Sequence, residues 1–278
     1  MNSLSAMEIV QTYEEIGVKK VTRSTGKILI LAIFAGLFIA FGSAVSNTAA
    51  HSISNVSAAR TISGLLFPFG LGMVMLLGVE LFTGNCMLPI SLFGGKITLF
   101  GMFRNWVLVY FGNFAGALML AAGCAFSGQF DYSAGGLAVY TIKVAASKCS
   151  LSFSSGIILG VFCNILVCAG VLCSLSAKDT TGKILGAYIP VTFFVICGFE
   201  HCIANMYYIP AGLFAMAVPK YAALAVEAGI KTEILTWNNF FWANLLPVTI
   251  GNILGGALIG VCLWVSHSAP KKSVLPAR

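Results

Sequence analysis

The chain has 278 residues, 58% of them hydrophobic and only 9% charged, with a formal net charge of +7. A soluble domain carries about a quarter charged residues, so this composition cannot clothe a water-facing surface, and disordered, collagen-like and soluble enzyme classes are excluded. Short strands of alternating polarity are missing, which argues against an outer-membrane barrel and leaves an all-α integral membrane protein.

In chain order, residues 6–20 place Ile9, Val10, Tyr13 and Ile16 at helical spacing, with Glu8, Glu14 and Glu15 elsewhere. This predicts a short amphipathic helix in a cytoplasmic segment 1–27, either an interfacial anchor or a gate beneath a pore. More than twenty residues precede the first apolar run, which is too long for a signal-peptide core, so the segment is expected to stay on the protein. A crossing needs roughly 20 largely apolar residues. Apolar runs fall at about 28–50, 61–79, 102–126 (through Arg104), 153–177 and 240–265. Two hydrophobic stretches are interrupted: 62–94 holds Glu80 and Pro89, and 184–217 holds Glu200, His201 and Pro210. The reading is six transmembrane helices over 28–266, the second and fifth broken, followed by a cytoplasmic tail at 267–278.

With both termini inside, eleven lysines and arginines (Lys19, Lys20, Arg23, Lys27, Lys96, Arg104, Lys178, Lys183, Lys271, Lys272 and Arg278) face the cytoplasm. Five face outward: Arg60, Lys143, Lys148, Lys220 and Lys231. That asymmetry predicts a multi-pass protein of the inner (plasma) membrane with both termini cytoplasmic, and lipid headgroups rather than nucleic acid as counterions. The nine cysteines form no CxxC pair and lie mostly in the spans, so neither a metal site nor a cofactor is expected.

The halves resemble each other. In GVELFTGNCMLPISLF (78–93) and GFEHCIANMYYIPAGLF (198–214), Gly78 meets Gly198, Glu80 meets Glu200, Asn85 meets Asn205, and Pro89 meets Pro210 after one insertion. Downstream, Asn105, Asn113 and Gly116 match Asn244, Asn252 and Gly255; upstream, Gly36 and Phe38 are matched to Gly160 and Phe162. Three passages per half make an inverted repeat, about 28–127 and 154–266, in which broken helices meet near the midplane and line a pathway. The breaks are placed at Glu80–Pro89 and Glu200–Pro210.

Within them, Thr83 offers a hydroxyl beside Leu81, Phe82 and freed amides, and His201 is the one mid-membrane histidine, a candidate to exchange a proton with the solute. Glu80 and Glu200 are expected to accept from the orphan amides of each break. Lys148 reads either as a solvated loop residue or as an inward-folded cation that attracts an anion. Asn105, Asn113, Asn244 and Asn252 are expected to clamp helix to helix.

GVELFTGN, YFGNFAGA, the lysine ahead of span four, CGFEHCIANMYYIPAG and NLLPVTIGNILGG resemble the signatures of the formate/nitrite transporter family, and in appearance its hydrosulfide-channel branch most closely. The resemblance implies an aquaporin-like protomer in a homopentamer, one pore per protomer. It makes His201, Thr83, Lys148 and Asn205 pathway residues and Phe67, Leu71, Leu81, Phe82 and Phe194 constrictions. The function expected is a channel for small monovalent anions of weak acids, hydrosulfide before nitrite or formate, with transient protonation at His201. An aquaglyceroporin-like channel for neutral solutes and a proton-coupled formate/nitrite carrier remain open. The paired NPA boxes of the former are missing. An enzyme is not expected, because Cys197 and Cys202 have no partner base in the sequence.

Overall fold

The computed structural model describes residues 3–268, so most of the tail, with Lys271, Lys272 and Arg278, lies outside the described residues. Among those described, six helical segments are long and apolar enough to cross a membrane: Thr25–Ala50, Val56–Leu77, Leu99–Phe126, Phe153–Ser176, Thr180–Cys197 and Trp237–His267. Five of them fall within a few residues of the apolar runs that predicted them, while the fifth, Thr180–Cys197, ends twenty residues before the end of the interrupted stretch 184–217.

The chain starts with α1 (Ala6–Thr22), capped by Ser5 and Glu8 in a capping box. Helix α2 (Thr25–Ala50) is the first span; α3 (Val56–Leu66) and α4 (Phe69–Leu77) make the second, stepped at Pro68. After a break come the short helices α5 (Phe82–Asn85) and α6 (Pro89–Phe93), then α7 (Leu99–Phe126). The second half repeats the order: α8 (Gly136–Cys149), α9 (Phe153–Ser176), α10 (Thr180–Cys197), a break, and α11 (Cys202–Met216). Helix α12 (Pro219–Glu227) turns away from α11 by 98°. The last span joins α13 (Trp237–Asn239), a π-helical stretch Phe240–Leu245 and α14 (Leu246–His267).

The breaks are shorter than expected. Helix α4 ends on Gly78 and α10 on Gly198, both left-handed (φ 63° and 73°), a conformation that a side chain would strain. Four residues later, Phe82 and Cys202 open the next helices. Pro210 breaks nothing. It sits inside α11, whose chain turns only at Val218, while Pro89 opens α6 at a position whose amide needs no helical partner.

The repeat is real but its upstream register differs by one helical turn. Glu80 N–H donates to Leu31 O, and Glu200 N–H to Leu159 O. Asn113 Nδ2 reaches Ala32 O, and Asn252 Nδ2 reaches Gly160 O. Ala32 is therefore the mate of Gly160, Phe34 of Phe162, and Gly36 falls opposite Asn164. A shift of four residues keeps a helix on nearly the same face, so a Gly-x-Phe match cannot separate the two registers.

Carried backward, that register pairs Ser24 with Ser152, the caps of α2 and α9, and α1 with α8. Helix α1 is thus the counterpart of α8 in that register. Its apolar face meets protein, not a lipid interface: Val10, Tyr13 and Gly17 are buried, Tyr13 donates to Gly84 O at 2.8 Å, and Trp264 Nε1 donates to Glu14 at 3.0 Å.

Candidate functional site

Each break leaves backbone amides without helical partners at a depth where an unpaired group costs several kcal/mol. Asparagines, not the glutamates, satisfy them. Asn113 Oδ1 accepts from Phe82 N–H at 2.9 Å while its Nδ2 donates to Glu80 O at 2.9 Å. Asn252 does the same for Cys202 N–H at 2.8 Å and Glu200 O at 2.9 Å. The expected clamping role of these two asparagines holds; the amide-accepting role given to Glu80 and Glu200 is corrected.

The glutamates instead close two rings of side chains. Glu80, fully buried, accepts from Lys20 Nζ at 2.9 Å, from Arg23 and from Asn85 Nδ2 at 2.8 Å; Asn85 Nδ2 also donates to Asn105 Oδ1 at 2.8 Å, and Asn105 Nδ2 to Lys20 O at 3.2 Å. Glu200 accepts from Lys148 Nζ at 2.8 Å and from Asn205 Nδ2 at 2.6 Å; Asn205 Nδ2 also donates to Asn244 Oδ1 at 2.7 Å, and Asn244 Nδ2 to Lys148 O at 2.9 Å. Lys148 is therefore no loop residue. It lies in the last turn of α8, folds inward to 16% side-chain exposure and sits 5.3 Å over the Tyr208 ring. The opposite cations, Lys20 and Arg23, were read only as topology charges, because the one-turn register error hid the match of Lys20 to Lys148.

Between the rings the breaks touch. His201 Nε2 lies 2.9 Å from Thr83 Oγ1, and His201 Nδ1 accepts from the Ala204 amide at 3.1 Å, capping α11. An acceptor at Nδ1 fixes the proton on Nε2, so the ring is neutral and donates to Thr83. A second proton on Nδ1 would face an N–H. In this arrangement His201 stands as a hydrogen-bond donor to Thr83. Thr83 O is held in turn by Asn164 Nδ2 at 3.1 Å.

His201 borders a slit of about 10 Å³ lined by Ile39, Phe67, Leu71, Leu81, Val167, Val191 and Phe194. That is about one water's worth of space. Phe194 stacks on His201 at 5.9 Å and meets Phe67 edge-on at 5.6 Å. Four of the five expected constrictions thus line the slit. Phe82 does not: its ring packs between Tyr110 at 4.8 Å and Trp106 at 6.4 Å. Ile39, Val167 and Val191 escaped the sequence reading because an apolar residue on a span carries no mark of which neighbour it faces. On the Glu80 side, beyond Leu81, a vestibule of about 270 Å³ opens between α1, α4 and the end of α9.

Two inverted halves, their broken helices joined by a buried hydroxyl–imidazole pair between apolar walls and flanked by cation–carboxylate rings, define a membrane transport protein rather than an enzyme. The chain belongs to the formate/nitrite transporter family: the family model described as Formate/nitrite transporter matches residues 7–265. It is 35% identical over 259 residues to the formate channel FocA of Escherichia coli K12, covering 91% of each chain. It is also 35% identical over 257 residues to a probable formate transporter of Methanothermobacter thermautotrophicus, covering 86% and 88%. A solved pentameric formate channel with formate bound matches at 34% identity and TM-score 0.76, over 87% of this chain and 97% of that one. An FNT family ion channel at 22% identity shares the fold, with TM-score 0.80 over 93% and 98%.

Proposed function

We propose that the protein is a channel for small monovalent anions of weak acids, formate first, with one pore per protomer of a homopentamer in the inner membrane and both termini cytoplasmic. Formate moves ahead of hydrosulfide because the similar proteins above are named for it; hydrosulfide and nitrite remain further substrates of the same slit. The observation that carries the reading is the Thr83–His201 pair at 2.9 Å in an otherwise apolar slit, set between two rings that each present a lysine. Pentameric assembly is supported by the solved pentameric formate channel at 34% identity.

Placing a bare anion in such a slit costs on the order of 20 kcal/mol in the idealised Born limit, and several kcal/mol after relaxation. A weak acid avoids most of that by crossing as its neutral form. The anion is drawn to Lys20 or Lys148, takes a proton from hydronium of the entry-side solution, crosses as the neutral acid while hydrogen-bonded to His201 and Thr83, and returns the proton to water on the far side. The aromatic and aliphatic walls must swing aside, because the resting slit is too narrow for a triatomic solute.

The test is uptake into proteoliposomes of formate, nitrite, hydrosulfide, chloride and glycerol. Formate flux that rises as pH falls is expected. Glycerol permeation without any anion flux overturns the proposal.

A further inference from the structure

The two rings are alike, yet their surroundings differ in charge. On the Glu200 side the half-helix that ends at Lys148 offers one ammonium to one carboxylate. On the Glu80 side four cations, Lys19, Lys20, Arg23 and Lys183, line one cavity of about 270 Å³ against the single carboxylate of Glu80. Lys20 and Arg23 share that carboxylate; Lys19 and Lys183 pair with no carboxylate among the described residues. Ser174 lines the same cavity, is 1% exposed, and its hydroxyl has no partner among the described residues. A buried hydroxyl without a partner is costly, and a bound acceptor would supply the missing bond.

We propose that this vestibule is a binding site for a multiply charged oxyanion of the size of inorganic phosphate, which occludes the pore from that side. Surplus positive charge around one cavity favours a divalent over a monovalent anion, because the attraction scales with charge. Size does the rest. The vestibule is about 27 times larger than the slit behind it, at about 270 Å³ against about 10 Å³. A tetrahedral oxyanion fits the first and not the second. It also keeps at least one ionic charge near neutral pH, so the neutral-acid route is closed to it. The ligand is therefore a blocker and not a substrate.

The inference rests on the proposed channel activity for its flux readout but not for its binding readout. Inorganic phosphate is titrated calorimetrically into the purified full chain, and formate flux is followed in phosphatidylcholine proteoliposomes with phosphate on one side at a time, at constant ionic strength. Expected are saturable binding, block only from the Glu80 side, and no phosphate transport. The double variant Lys19→Gln/Lys183→Gln should need about tenfold more phosphate per charge removed, equivalent to roughly 1.4 kcal/mol each, with the maximal flux at saturating formate unchanged when phosphate is absent. Ser174→Ala should weaken binding in the same direction. No binding by the intact chain, block from both sides, or equal block by chloride overturns the inference. Flux depressed in phosphatidic acid vesicles without added phosphate would assign the site to a lipid headgroup and overturn the soluble ligand. If formate itself fails to cross, the channel reading falls while the calorimetry still decides this one.

Discussion

His201 and Thr83 are 118 residues apart in sequence and 2.9 Å apart in space, the imidazole of one broken helix hydrogen-bonded to the hydroxyl of the other. The ring does two jobs with its two nitrogens. Nδ1 caps α11 through the Ala204 amide, and Nε2–H is left as the donor that faces the slit. Replacing His201 by Phe removes both. The cap loss is worth about 1 kcal/mol of stability, and the lost donor to a neutral acid about 0.5–1.5 kcal/mol, hence a roughly two- to tenfold slower flux. His201→Asn restores the cap alone. It should recover thermal stability without recovering flux, and equal recovery of both would show that the ring acts only as a cap.

The pair Lys148 and Glu200 is buried to 16% and 7% exposure. Removing the lysine leaves a carboxylate unpaired, at a cost of about 3 kcal/mol. Lys148→Met should therefore lower the melting midpoint in detergent, and Lys148→Met/Glu200→Gln should regain most of the loss. The double variant should still capture formate poorly, seen as a raised half-saturating concentration from the Glu200 side. Lys20→Met should cost less than Lys148→Met, because Arg23 also pairs with Glu80. An equal loss in the two single variants would contradict the geometry.

Where a residue type was rare for its depth, the sequence already told its place. Glu80, Glu200 and His201 could not lie in hydrocarbon without partners, and each proves to sit at a break. The asparagines stand out by their repetition in the two halves, whereas Thr83, which falls opposite Ile203, is marked only by its place in the break and by the family resemblance. What stayed hidden was what periodicity cannot resolve. A four-residue slip on α2 preserved its face and concealed the match of Lys20 to Lys148, and with it that of α1 to α8. Phe82 was assigned to the pore on spacing, whereas its direction is set by the aromatic side chains of Tyr110 and Trp106 on α7, a long-range contact that local sequence does not encode.

Helix α7 crosses α2 where Gly116 leaves no room: a Cβ there would stand 1.9 Å from Ile33 O, and at its mate Gly255 2.3 Å from Val161 O. Close backbone approach of this kind is what holds helices together when lipid supplies no hydrophobic drive. Gly116→Ala must push α7 off α2, which also strains the Asn113 clamp one turn away. An overpacking cost of about 1–3 kcal/mol is expected, read as a lower melting midpoint and reduced recovery of folded protein. Gly123→Ala, on the same helix with nothing within 4 Å, is the control and should be neutral.

Helix α1 walls the vestibule, so its first turn controls whether that wall is present. Glu8 accepts from the Ser5 amide and hydroxyl, each at 2.7 Å, and these bonds, the backbone one first, hold its carboxyl below the usual 4.5. A depressed carboxyl adds stability that is complete above its unfolded value and disappears as pH falls through the folded one. Hydrogen exchange of the α1 amides should accordingly show constant protection from about pH 7 down to about pH 5, then a loss below the ordinary carboxyl range. Glu8→Gln should lower that protection at neutral pH and flatten its acid dependence. A fall in protection of the unaltered helix already between about pH 7 and pH 6 would place the controlling group elsewhere than Glu8.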